Sequence, residues 1–235
     1  MVHIHGGPIT PHTAALATWK ARHAMVSFAH PEQLWLAAEI ASSVYLDNGA
    51  FSYWRSGEKL VVESYLKWVD AFRRHPTFRW ALIPDVIDGS EWDNDMLLTQ
   101  WPFGQEGVPV WHLHESLERL ARLMHYWPTI ALGSSGEFKT PGSNKWWERI
   151  HAAMSVVCDS DGVPLVKLHG LRMLAPAIVQ RIPFASGDST TVARNIGLSR
   201  SVWPEPPYSD AARSVRAIAY RDRLESYNSP GRWVP

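Results

Sequence analysis

The chain has 235 residues, 46% of them hydrophobic, with 23 basic and 23 acidic side chains and a formal net charge of zero. That length and apolar content suffice for one sizeable core, while the neutral balance gives no sign of binding to nucleic acid by bulk charge alone. The single cysteine, Cys158, excludes an internal disulfide and any zinc site built on several cysteines.

Short apolar runs predict strands at Val2–His5, Met25–Phe28, Val44–Leu46, Trp80–Ile83, Pro109–Leu113, Thr129–Leu132, Pro164–Leu168 and Pro183–Ala185. They lack clean alternation, as expected of parallel strands buried on both faces. Each run ends in a small polar cluster: His3–Gly7, Ser27–His30, Asp47–Ser52, Asp85–Gly89, His112–Glu115, Gly133–Glu137, Lys167–Gly170 and Ser186–Thr190. Helical patterns lie between them. Val61, Tyr65, Trp68, Val69 and Phe72 share one helix face, and Leu117, Leu120, Ala121 and Met124 do the same behind Ser116, a residue suited to an N-cap. Strands alternating with helices imply parallel βαβ units. An open doubly wound sheet competes, but eight units of this length favour a compact α/β fold, a single-domain (β/α)₈ TIM barrel over residues 1–235 with few insertions.

The stretch from Trp203 to Tyr208, rich in proline, predicts a rigid connector to a helix near Ala211–Tyr227, so that residues 202–235 form a C-terminal connector and helix. Cys158 falls at the end of a helical stretch and is expected to be a buried structural thiol. No apolar run approaches the roughly 18 residues of a membrane span and no signal pattern opens the chain, so the expectation is a soluble, cytoplasmic protein without a membrane partner. Charge is uneven along the chain: eight Arg and five acidic residues lie between Arg181 and Pro235, against thirteen acidic and six basic between Glu32 and Glu115. The basic end suits either a solvated helix face or a path for phosphates. Most of the 13 Trp are expected to pack between helices and barrel, with a few placed to stack on bases.

In such barrels chemistry sits where strands end. Asp47-Asn-Gly-Ala-Phe-Ser52 and Ser186-Gly-Asp-Ser-Thr190 each place a carboxylate beside a glycine and hydroxyl or amide residues. Each carboxylate is either a nucleophile or base, or merely a turn or helix cap. Gly133, in Leu132-Gly-Ser-Ser-Gly-Glu137, permits backbone approach to a flat heterocycle, while Asp85 and Asp88 offer acceptors for ring N–H groups.

These pieces resemble the tRNA-guanine transglycosylase superfamily, and more closely its short phage branch that places 7-deazaguanines in DNA. The family's Asp-(Ser/Thr)-Gly-Gly-Phe-Gln motif is similar to Asp47–Ser52, its Gly-Leu-(Ala/Ser)-Val-Gly-Glu motif to Leu132–Glu137, and its Asp…Thr…Arg-Asn nucleophile region to Asp188–Asn195. The resemblance implies that Asp188 attacks C1′ of a nucleotide and that Asp47 is the general base. Asp85, His114, Gly133, Ser134, Glu137 and Phe51 would hold the base, with no cofactor or metal. Arg194, Arg200, Arg213 and Arg216 are the residues expected along the nucleic-acid path, and a partner protein or homo-oligomer is possible. The tRNA-acting members carry a three-cysteine, one-histidine zinc site that one cysteine cannot supply, so DNA is the expected substrate and tRNA the alternative. Two other readings compete. His3, His5, His112, His114 and His169 with Asp188 would suit a metal-dependent hydrolase of the amidohydrolase type, and a catalytically inert nucleobase binder could use the same fold.

Overall fold

The computed structural model describes residues 1–197 and 209–234. The apolar runs become one parallel sheet of nine strands: β1 (Val2–Gly6), β2 (His23–Ser27), β3 (Ser43–Asp47), β4 (Phe78–Leu82), β5 (Gly107–Val108), β6 (Val110–His112), β7 (Thr129–Gly133), β8 (Lys167–Gly170) and β9 (Ser186–Ser189). Their order is β5-β4-β3-β2-β1-β9-β8-β7-β6. The two end strands adjoin in the chain, on either side of Pro109. Proline has no N–H to donate and interrupts the ladder there. Pairing changes partner at the same point: Ile83 N–H donates to the Val108 carbonyl at 3.0 Å, and Ala131 N–H to the Pro109 carbonyl at 2.9 Å. The run 107–112 therefore serves β4 with its first half and β7 with its second. The sheet becomes a (β/α)₈-like barrel, and its ninth strand is a split fifth rather than an extra unit.

Ten helices are described: α1 (His12–Trp19), α2 (Leu34–Ile40), α3 (Ala50–Ser56), α4 (Val62–Phe72), α5 (Glu91–Thr99), α6 (Leu117–Tyr126), α7 (Asn144–Val157), α8 (Pro176–Val179), α9 (Thr191–Asn195) and α10 (Asp210–Glu225). The two periodic stretches singled out in the sequence are α4 and α6, and the Ser116 hydroxyl caps α6 by accepting from the Arg119 N–H at 3.1 Å. The C-terminal helix is α10, while the proline-rich connector lies outside the described residues. Cys158 is the half-buried residue just beyond α7, in extended conformation. No helix among the described residues is long and apolar enough to cross a membrane.

The last two strands begin later than expected. Pro164 and Pro183 cannot donate, so the ladder starts beyond them, at Lys167 and Ser186. This draws Ser186-Gly-Asp-Ser189 into the barrel wall, and Asp188 sits within a strand rather than after it.

Strand alternation then sorts the side chains. Val44, Leu46, Ala24 and Val26 join the outer core under the helices, whereas Tyr45 and Met25 pack with Ile4 inside the barrel. Partners in register face the same way: Ser27 lies opposite Asp47, His112 opposite Gly133, and Ile4 opposite Asp188.

A buried charged network supports the β6 end of the mouth. Arg119, 1% exposed, donates to Glu115 at 2.6 Å, Asp95 at 2.8 Å and the Val110 carbonyl at 3.0 Å. Glu115 also accepts from the His112 N–H and the Asn94 amide, each at 2.8 Å. Removing Glu115 would leave the buried Arg119 with only the part-exposed Asp95 as counter-charge and would orphan the His112 N–H and the Asn94 amide, a cost of about 3 kcal/mol. Glu115→Ala should lower unfolding stability by that amount in urea titrations at neutral pH; a loss below about 1 kcal/mol would show that the network does not hold this side of the barrel.

Candidate functional site

The inward side chains at the strand ends line a cavity of about 620 Å³ at the C-terminal mouth of the barrel. Asp47, Asn48, Asp85, His112, Arg172 and Asp188 face it, with Gly133 and Phe51 in its wall.

At each catalytic candidate, the capping role falls to the next residue. After β3, the Asn48 carbonyl Oδ1 accepts from the Ala50 N–H at 2.8 Å, closing an Asx turn. Gly49 completes the turn at φ 78°, and a Cβ there would meet the Ala29 backbone nitrogen at 3.0 Å. After β9, the Ser189 hydroxyl accepts from the Thr191 N–H at 3.0 Å. Asp188 is thereby left to the cavity, while Asp47 faces the cavity and also accepts from the Gly49 backbone N–H.

The two carboxylates sit in unequal surroundings. Burial pushes Asp47 up to about 6 from 3.8, with repulsion from Asp188 and Asp85 adding to it; hydrogen bonding from Ser27 and the Gly49 backbone offsets part of the rise. Asp188 is 5% exposed, and its Oδ1 accepts the Arg172 backbone N–H at 2.9 Å. His169 Nε2 stands 3.3 Å from the same oxygen, while its Nδ1 is 2.9 Å from the Ser186 hydroxyl. Among the described residues Oδ2 of Asp188 carries no hydrogen bond. Asp85 is gripped from both sides: Asn48 Nδ2 donates to Oδ1 at 2.7 Å, and His112 Nε2 lies 2.8 Å from Oδ2.

The remaining expected base contacts divide. Gly133, Ser134 and Phe51 line the cavity. Gly133 is there for space, because a Cβ would come within 2.9 Å of His112 Nδ1. Ser134 already accepts from the Trp146 indole N–H at 2.9 Å. His114 and Glu137 do not line the cavity. His114 spends its nitrogens on the Ser135 hydroxyl at 2.8 Å and the Gly89 carbonyl at 3.2 Å, behind His112. Glu137 is exposed and ion-paired with Lys145. In β6 the inward residue is His112, so the fifth-strand side chain at the cavity is His112 in place of His114.

Of the arginines expected along a nucleic-acid path, Arg194 is exposed on α9 and Arg213 is half-buried on α10. Arg200 lies outside the described residues. Arg216 is only 2% exposed and donates to the Ile196 carbonyl at 2.8 Å, which makes it a packing residue unavailable to phosphate.

The ligand set of the metal-dependent hydrolase is split by strand parity. Ile4 points into the barrel, so His3 and His5 point outward, where His3 bonds the Tyr227 carbonyl at 2.7 Å and His5 bonds Glu225 at 3.0 Å. His112, His169 and Asp188 face the other side of that wall. Among the described residues no group of three His, Cys, Asp or Glu is placed to hold a metal ion.

Sequence reasoning missed the roles of Asn48 and Arg172, and gave His112 and His169 either as metal ligands or as hydrogen-bonding or substrate-contacting residues of the barrel mouth, without saying which carboxylate each meets. The Asn-Gly pair was a readable turn signal, and His169 shares a face of β8 with Lys167, two residues before it. Arg172 carried no signal, since its left-handed backbone (φ 58°) is unusual for a residue with a side chain.

Because the folded-state value of Asp47 is raised, its contribution is fully favourable below pH 3.8 and is lost as pH climbs through about 6. A rise of roughly 2 units corresponds to about 3 kcal/mol. Relative to Asp47→Asn, the wild-type protein should therefore lose up to about that much stability between pH 4 and 7 in denaturant titrations. A pH-independent difference between the two would place Asp47 in water. Comparison with protein-family models, with curated proteins and with solved structures finds no match.

Proposed function

We propose that this chain is a base-exchange glycosyltransferase that replaces guanine in DNA by a 7-deazaguanine through a covalent Asp188–sugar intermediate. The observation that carries the reading is the pair of inward carboxylates, Asp47 and Asp188, sharing one cavity in unequal environments. A carboxyl group whose proton affinity is raised by burial, set beside a second carboxylate, lets one site supply both an acid–base group and a nucleophile.

In the first half, Oδ2 of Asp188 attacks C1′ as the bond from C1′ to N9 of guanine breaks. The contacts on Oδ1 from the Arg172 N–H and His169 orient the carboxylate for that attack. Protonated Asp47 gives its proton to the departing base, leaving free guanine and a sugar ester on Asp188. In the second half, Asp47 takes the N9 proton of the incoming 7-deazaguanine, whose nitrogen attacks C1′ and releases the Asp188 carboxylate. A value of about 6 lets Asp47 both give and accept a proton near neutrality. Asp85, fixed by Asn48 and His112, is an acceptor for ring N–H groups. The nucleotide must leave its stack to reach the floor of the barrel mouth.

Incorporation of labelled guanine into duplex DNA, single-stranded DNA and tRNA tests the reading. Wild-type protein should exchange label into DNA, and Asp188→Asn should lose that activity by a factor on the order of 10³ or more. Exchange into tRNA alone would keep the chemistry and overturn the DNA substrate. No exchange into any nucleic acid would overturn the transglycosylase.

A further inference from the structure

Many guanidinium groups in this fold are matched from within it. Arg22 pairs with Glu225, Arg73 with Asp70 and Glu106, Arg119 with Glu115 and Asp95, and Arg221 with Asp222. Three around the cavity are different: Arg172 lines it together with Lys139, while Arg55 and Arg194 lie on short helices that begin at or beside the lining residues Ala50 and Thr190. Arg55 ends α3, Arg172 follows β8, and Arg194 lies on α9. Among the described residues none of the three side chains makes an ion pair or a hydrogen bond.

They also act on one another. Burial is the main influence against the charge on Arg172; Asp188 and Asp47, deeper in the cavity, favour it, and Arg194 and Arg55 add a smaller push against it. The result is a cationic rim over an anionic floor in a chain whose net charge is zero. One carboxylate stands on this rim, Asp88, which accepts from the Trp54 indole N–H at 3.0 Å and makes no ion pair with the three arginines. Like charges gathered in this way are repulsive until an anion arrives from outside.

Aromatic surface accompanies the rim. The Arg172 guanidinium lies 3.6 Å from the Phe51 ring centre, and Phe51 and Trp54, with ring centres 5.8 Å apart, are 36% and 49% exposed on the same short helix as Arg55. Guanidinium groups interleaved with exposed aromatic rings suit single-stranded nucleic acid, whose phosphates and base faces they contact without regard to sequence. Arg172 further joins rim to floor, because its backbone N–H holds Asp188 while its side chain reaches Phe51.

We infer that Arg55, Arg172 and Arg194 clamp the phosphodiesters flanking the extruded nucleotide of a single-stranded DNA segment, which crosses the mouth over α3. This rests on the nucleic-acid substrate proposed above. It places the strand on the α3 side of the mouth and dispenses with Arg216.

The test is binding of a fluorescent single-stranded oligodeoxynucleotide containing one guanine, at several salt concentrations. The proteins are the full-length wild type, Arg55→Gln, Arg172→Gln, Arg194→Gln and the control Arg74→Gln. Arg74 follows α4 at the opposite end of the barrel and is exposed. Each clamp variant should bind several-fold more weakly and lower the slope of log affinity against log salt by about 0.7 per lost phosphate contact, with the control unchanged. If wild-type protein binds and exchanges base while all three variants keep the wild-type slope, the clamp is overturned and the exchange reaction stands. If wild-type protein neither binds nor modifies nucleic acid, both fall together.

Discussion

Closure of the parallel sheet at Pro109 is the constraint from which the site follows. Once the run 107–112 pairs with β4 on one side and β7 on the other, every strand has two neighbours and a fixed inside and outside. Side-chain alternation then leaves little freedom. A register shift of one residue in β3 would bring Leu46 into the mouth and send Asp47 under the helices. The large outer core, which includes Leu46, Val44, Val69 and Phe72, resists that exchange. The same rule places Asp188 inside and His3 and His5 outside. Chemistry in the mouth is thus secured by apolar packing on the far side of each strand.

The floor of the mouth illustrates how buried polar groups acquire separate tasks. Asp85 is held by two partners, Asp188 accepts on one oxygen only, and Asp47 is raised by burial with limited hydrogen bonding to offset it. Three carboxylates within one cavity would repel if all were ionised. The raised proton affinity of Asp47 relieves that repulsion, and the same property suits it to acid–base work. Stability and reactivity are linked here through one proton.

The outward histidines serve the fold. His5 is fully buried and joins Glu225 of α10, which also binds Arg22 beyond α1. The Trp19 indole donates to the His5 carbonyl at 2.8 Å, so the first strand is pinned by the first and last described helices together. The His-x-His pattern is therefore a lock between β1 and the C-terminal helix, and its resemblance to a metal motif arises because imidazole serves either purpose.

The strand–helix alternation, the barrel class, the faces of α4 and α6, and the positions of Asp47 and Asp188 near strand ends were all legible in the chain. Each depends on local periodicity or on glycine and asparagine turn chemistry, which act over a few residues. Other features were settled only by tertiary structure. The Pro109 split, the late starts of β8 and β9, and the choice of His112 over His114 depend on which neighbour a strand pairs with. The burial of Arg216, the exposure of Glu137 and the approach of Arg172 to Asp188 depend on distances between residues far apart in the chain. Local pattern in the chain suffices for the units and for the kind of residue at each strand end; which of those residues meet is set by the closed sheet, because facing and burial are properties of the assembled wall and not of any one segment.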